Sequence, residues 1–213
     1  MKYYKILRSD MTHYGFKYHE GLNTDTEPFD ETPYCGGGLF FSDAENILSF
    51  VDYGNLIAEV EISKGAKIIP VRNKYKKYKA HSIVLKNIKP IWTVDTFKYF
   101  IREGINIHVK NDNAFRYTVE TGNLELVKFL VDKGANIHAD DDWALKYAAG
   151  NGYLEVVRYL VSKGANIHAY DDYALDCAFR HAAENGHIEV VKFLVSKGAN
   201  IWRHYENSEV PTT

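Results

Sequence analysis

Three groupings in this 213-residue sequence combine side chains of the kinds that do chemistry. His108, His138 and His168 recur at a fixed interval of 30 residues, and imidazole is a common metal ligand. Zinc ligands must all lie about 2 Å from one ion. Histidines repeated on stacked helical units stand about 8–10 Å apart, the spacing of packed helices. They cannot share a metal, so the expected role is hydrogen bonding within loops, and no metal site is expected. Asp140, Asp141 and Asp142 resemble the start of a calcium loop. The glycine and distal glutamate of such a loop do not follow at the required spacing. A solvated turn with an aspartate at a helix start is expected instead. The third grouping is Arg72–Lys79 (RNKYKKYK), whose cations are Arg72, Lys74, Lys76, Lys77 and Lys79, interleaved with two tyrosines. That pattern suits a phosphate-rich or single-stranded nucleic-acid contact. The alternative is a solvated hairpin between two strands.

The elements that position these residues come from an internal repeat. Gly-Ala-Asn-Ile recurs at Gly134, Gly164 and Gly198, and Gly104 opens the variant Gly-Ile-Asn-Ile. Leu124–Val131 (LELVKFLV) returns as Leu154–Val161 (LEVVRYLV) and Ile188–Val195 (IEVVKFLV). About half the positions of 105–134 are identical in 135–164, a period that marks a repeat architecture. Each unit reads as two short helices. Leu154, Val157, Leu160 and Val161 fall at helical spacing on the second. Ala144, Leu145, Ala148 and Ala149 carry the first. Gly122, Gly152 and Gly186 mark the turn between them, and Gly164 suits the left-handed position after the last turn. One unit cannot bury its apolar face, so neighbours stack. Residues 93–104 align with a second helix alone. Units 105–134, 135–164 and 165–198 follow, the last with four extra residues near Leu175–Ala178.

The segment A-x-N-G-x-x-E-V-V (Ala148, Asn151–Val157; again Ala183, Asn185–Val191), together with the Gly-Ala-Asn-Ile loops, resembles ankyrin repeats. The resemblance covers about residues 93–202. The family's Thr-Pro-Leu-His entry to the first helix is replaced by Trp143-Ala144-Leu145-Lys146. The unit is about three residues shorter than the usual 33, which implies stunted β-turn fingers. Units of this length are similar to those of ankyrin proteins of giant amoebal DNA viruses, which implies a viral protein. What the resemblance implies for function is a non-enzymatic protein–protein interaction module. Equivalent positions that vary between units indicate a surface for a partner: Asn113, Trp143 and Tyr173 at the helix starts, Arg116 and Lys146 three residues on, and Tyr147. Trp, Tyr and Arg are the side chains that most often anchor interfaces. The alternative is that the aromatics only cover the core between units.

Residues 1–91 read as a small α+β domain capping the array, with repeats over 92–204 and a frayed tail over 205–213. The expected fold class is thus an α+β domain followed by an all-α ankyrin solenoid. Expected strands are Tyr3–Leu7, Leu39–Phe41, Leu56–Ile62, Lys67–Val71 and Ser82–Leu85, with a helix between Asp43 and Tyr53, capped by Asp43. The order of Gly36, Gly38, Leu39, Phe41 and Asp43 before a helix and a strand resembles the NAD-binding core of poly(ADP-ribose) polymerases. That implies an alternative function, NAD binding or ADP-ribosyl transfer targeted by the repeats. Arg8-Ser9 stands where that family has His-Gly, Ser49 and Tyr53 are one residue out of step, and His81 aligns with its late catalytic glutamate. Transfer through an oxocarbenium-like centre needs a carboxylate, so no catalytic residue and no cofactor is expected. Glu59 and Glu61 share a strand face. They are similar to a Glu-x-Glu pair of other ADP-ribosyltransferases, or they decorate an edge strand.

Composition bounds the rest. The chain is 46% hydrophobic and 25% charged, with net charge −2. A balance of this kind excludes a disordered chain and gives no electrostatic case for nucleic acid as partner. Residues 1–91 carry 13 Lys/Arg against 11 Asp/Glu, and residues 92–213 carry 13 against 17. Cys35 and Cys177 are too few for a disulfide framework. No apolar run reaches the roughly 18 residues of a membrane helix, and residues 1–20 lack the apolar stretch of a secretory signal. The expectation is a monomer in the cytoplasm of a host cell, binding a host protein and no membrane.

Overall fold

A computed structural model of the chain describes residues 1–168 and 185–198. It divides into two compact units, Met1–Ala114 and Phe115–Thr213. The first is built on a seven-stranded sheet: β1 (Tyr3–Leu7), β4 (Gly21–Thr24), β5 (Leu39–Asp43), β6 (Leu56–Ile62), β7 (Ile69–Val71), β8 (Lys77–Ala80) and β9 (Ser82–Pro90). Its order is β4-β9-β6-β1-β5-β8-β7, and every adjacent pair is antiparallel. A separate hairpin joins β2 (Thr12–His13) to β3 (Phe16–Lys17). Its turn residues Tyr14 and Gly15 both have positive φ, the geometry that matches strand twist in a two-residue hairpin.

β1 lies at the centre because four of its five residues are buried. Leu7, Tyr18, Leu39, Phe41, Ala58, Val60, Ile83 and Leu85 form one continuous apolar cluster over the sheet. Strands β1 and β6 have the bounds expected from the sequence. The helix expected between Asp43 and Tyr53 is instead a 3-10 segment, Ile47–Tyr53, kinked at Phe50. Asp43 belongs to β5, and its carboxylate accepts from the Asn46 N–H at 3.0 Å. Gly54 ends the 3-10 segment, and a Cβ there would stand 2.1 Å from the Leu7 carbonyl oxygen.

Helix α1 (Val94–Arg102) belongs to the first unit. Thr93 caps it by accepting from the Thr96 N–H at 3.1 Å, and its Phe97 and Phe100 are buried. Thr96 in turn donates to the Pro90 carbonyl at 2.8 Å. The Tyr99 hydroxyl donates to Glu59 on β6 at 2.5 Å, and the Asn106 N–H donates to the Ala44 carbonyl at 3.0 Å. The partial repeat is therefore fastened to the sheet through both backbone and side chains.

The remaining helices are α2 (Val109–Glu120), α3 (Leu124–Asp132), α4 (Ala139–Gly150), α5 (Leu154–Ser162) and α6 (Ile188–Ser196). Ala144, Leu145, Ala148 and Ala149 are all buried, as the small-residue face of α4 predicts. On α5 the buried set is Val156, Val157 and Leu160, so Val156 replaces Leu154 and Val161 in the expected stripe. Gly164 has φ +97°, and the Ala165 N–H donates back to the Leu160 carbonyl at 3.0 Å, closing the helix in a Schellman motif. The extra residues near Leu175–Ala178 and the tail 205–213 lie outside the described residues.

Candidate functional site

The shortened fingers are left-handed turns. Lys110, Asn111 and Asp112, and again Asp140, Asp141 and Asp142, hold φ of 51–57° with ψ of 34–59°. An ordinary L residue in this region costs about 1–2 kcal/mol, and Asn and Asp tolerate it best because their side chains bond locally. The periodic histidines serve this turn. In each unit the His N–H donates to an Asn two residues back: His108 to Asn106, His138 to Asn136 and His168 to Asn166. The His108 ring Nδ1 lies 2.6 Å from Asp112, and that of His138 lies 3.0 Å from Asp142. Buried Asp142 also accepts from the Asn166 backbone N–H of the following unit at 3.0 Å. The expected loop role of these histidines is what the geometry gives. Among the described residues no three His, Cys, Asp or Glu gather as metal ligands. The Asp140–Asp142 turn departs from the expected solvated one in two respects: Asp142 is buried, and the residue at the helix start is His138, without a side-chain cap.

These turns set the row at the helix starts. Trp143 stacks on Tyr147, ring centroids 4.4 Å apart and 19° from parallel, and Tyr147 is 39% exposed. Arg116 is ion-paired with Asp140 of the next unit. Two residues of the expected partner surface are corrected. Asn113 is 4% exposed and Lys146 is 9% exposed, and the Lys146 ammonium donates to the Asp140 carbonyl at 3.4 Å. Both are turned inward, while their equivalents in the neighbouring unit, Trp143 and Arg116, are partly exposed. Tyr173 lies outside the described residues. Trp143 and Tyr147 are therefore in contact, and Arg116 is tied to Asp140, three residues before Trp143.

The basic run is a hairpin between β7 and β8, with Arg72, Lys74 and Lys76 exposed. Lys79 is corrected out of any contact surface. It is fully buried, donates to the Tyr34 carbonyl at 2.9 Å and is ion-paired with Asp30 at 3.5 Å. The glycine loop packs against the same place: a Cβ at Gly36 would strike Asp30 and one at Gly37 the Pro28 carbonyl. Those glycines permit close packing of chain on chain. Glu59 and Glu61 lie on β6, between β9 and β1, which corrects their reading as edge-strand decoration. Glu59 accepts from Tyr99, and Glu61 pairs with Lys86 at 2.8 Å.

A feature missed from sequence is a pocket of about 360 Å³, counting its open mouth, among β1, β5, β8, the β2–β3 hairpin and the 3-10 segment. Its lining includes Lys5, His13, Phe40, Phe50, Tyr53 and Lys77, and neither glutamate of β6 nor His81. Burial, with Lys77 nearby, pulls the Lys5 amine down to about 7. Burial and the cations Lys5, Lys77 and Arg8 depress His13 to about 4. Lys77 is lowered by burial.

The described residues thus define a helical repeat scaffold joined to an antiparallel-sheet domain. The family model described as ankyrin repeats (3 copies) matches residues 93–171, and that described as ankyrin repeat matches residues 177–204. The chain belongs to the ankyrin-repeat family over these residues. Two ankyrin repeat proteins of Acanthamoeba polyphaga mimivirus are 35% and 40% identical over 135 and 122 residues. The matches take in 58% and 54% of this chain, and 39% and 40% of those proteins, so the chain spans about two-fifths of their length. An uncharacterised protein of the same virus is 30% identical over 129 residues, 59% of this chain and 94% of its own. No helix among the described residues is long and apolar enough to cross a membrane.

Proposed function

We propose that this protein is a non-enzymatic interaction module of a giant amoebal virus that binds a host protein through the row at its helix starts. Ankyrin repeats generally mediate protein–protein interaction. The observation that carries the finer reading is the Trp143–Tyr147 stack on the helix whose Asp140 holds Arg116: a rigid aromatic pair with an arginine is the composition of an interface hot spot. Residues 92–204 form the binding array in this reading, residues 1–91 are its companion domain, and the protein acts as a monomer within the host cell, without nucleic acid. The engagement of Glu59 by Tyr99 and of Glu61 by Lys86 supports a non-catalytic companion over NAD chemistry.

The test is affinity capture from amoebal lysate with the whole chain, beside a variant carrying Arg116→Ala, Trp143→Ala and Tyr147→Ala. A partner held by the first and lost by the second supports the row. Equal capture by both baits removes the row from the binding surface and moves attention to residues 1–91.

A further inference from the structure

We propose that the pocket beside β1 is a binding site for a small aromatic phosphate monoester, its phosphate held by Lys5 and Lys77 and its ring laid against Phe50 and Tyr53. This goes beyond the partner-binding reading and does not depend on it.

The argument begins with charge. Lys5 is 3% exposed. Its ammonium donates to the Phe40 carbonyl at 2.7 Å and lies 4.3 Å from the centre of the Tyr18 ring. Lys77 is half-buried, with its ammonium 4.2 Å from the Phe40 ring. Among the described residues no carboxylate pairs with either. A carbonyl dipole and a ring face satisfy directions but leave the charge uncompensated, and a buried cation without a counter-charge is costly. Elsewhere in the same domain the buried Lys79 has its aspartate. The pocket lysines lack one where the wall opens to solvent.

A third polar group lines the same space. His13 Nε2 is buried with no hydrogen-bond partner, and its neighbours Lys5, Lys77 and Arg8 all act on it as positive charge. Burial lowers the amine and the imidazole most, and the repulsion among these neighbouring cations lowers both further. An anion entering the pocket relieves that repulsion.

The class of anion follows from charge and shape. Two ammonium groups match a dianion, and lysine acts on phosphate as a point charge. The Phe50 and Tyr53 rings lie 6.2 Å apart at the rim, and Tyr53 also meets His13 edge-on at 5.5 Å. Such walls take a planar ring. The cleft is open to solvent on one side, so a ring seated at its mouth can leave its phosphate at the lysines.

The test is isothermal titration of the full chain with phenyl phosphate, with benzoate and phenol as controls. Phenyl phosphate is expected to bind saturably, at least about tenfold tighter than benzoate, since a charged hydrogen bond contributes that much; phenol should give no saturable heat. Lys77→Met is expected to weaken binding about tenfold or more with an unchanged circular dichroism spectrum, and Lys5→Met to abolish it. Benzoate binding as tightly as phenyl phosphate overturns the phosphate assignment. Absence of saturable phenyl phosphate binding, or unchanged affinity in a folded Lys77→Met chain, overturns the site. If Lys5→Met fails to fold, Lys77→Met alone decides.

Discussion

Asp142 offers a way to separate what a left-handed turn costs from what holds it. Its carboxylate accepts from the Asn166 N–H and meets the His138 ring, each at 3.0 Å, while its own φ is +57°. A hydrogen bond to a charged group contributes about 1.5–3 kcal/mol, and less where the partner is solvated; the His138 side chain is 55% exposed. The two contacts together then contribute about 2–3 kcal/mol. An L residue without a local side-chain bond adds about 1 kcal/mol of backbone strain at this φ. Asp142→Ala should therefore cost about 3–4 kcal/mol, and Asp142→Gly about 2–3, because glycine loses the contacts but carries no strain. Asp142→Asn keeps an acceptor and the left-handed tolerance, and should cost less than about 1. For a chain of this size each kcal/mol moves Tm by about 2–4 °C, so thermal unfolding followed by circular dichroism resolves the series. Equal Tm values for the Ala and Gly variants would refute the strain component. An Asn variant as unstable as the Ala variant would refute the acceptor role.

Other outcomes follow from the first unit. Lys5 titrates near 7 when folded and near 10.5 when unfolded, so the unfolded chain binds more protons between those values and stability rises with pH across that window. Raising the pH from about 7 to about 9 should add up to about 2–3 kcal/mol in the natural sequence and none from this source in Lys5→Met, as read by urea midpoints at the two pH values. His13, depressed to about 4, acts with the same sign on the acid side: stability falls as pH drops from 6.5 toward 4, and His13→Gln should flatten that limb of the profile. Gly54→Ala sets a Cβ 2.1 Å from the Leu7 carbonyl and should cost at least about 2 kcal/mol through overpacking; an unchanged urea midpoint would show that the backbone yields there.

The sequence carried the fold wherever periodicity was local. The aromatic and aliphatic runs Tyr3–Leu7 and Leu56–Ile62 defined β1 and β6 to the residue, and the alanine face of α4 announced its burial. β8 was hidden because Lys77–Ala80 reads as charge. Only its neighbours, Phe40 under Lys77 and Asp30 beside Lys79, make those lysines acceptable in a strand. β4 was hidden because Gly21-Leu22-Asn23-Thr24 has turn composition. Of the partner row, variation among units picked out Trp143 and Arg116 but also the buried Asn113 and Lys146, since variation at a position says nothing of its exposure. The left-handed turn had a readable sign, Asn-x-His followed four residues later by Asp, with Asn or Asp in five of the six left-handed positions. The Lys5 pocket had none: its members come from five elements and converge only in the folded sheet.

The reach of Asp142 across to Asn166 has a bearing on how such an array grows. The acceptor sits in one unit and the donor in the next, and both residues recur at the same interval of 30, as Asp112 and Asp142, Asn136 and Asn166. A tandem copy of any 30 consecutive residues from this stretch brings in one new acceptor and one new donor, already in register. Lengthening by duplication therefore needs no second mutation to repair the seam. The histidine travels inside the same 30 residues, so each added unit arrives with the means to hold its own reversed turn.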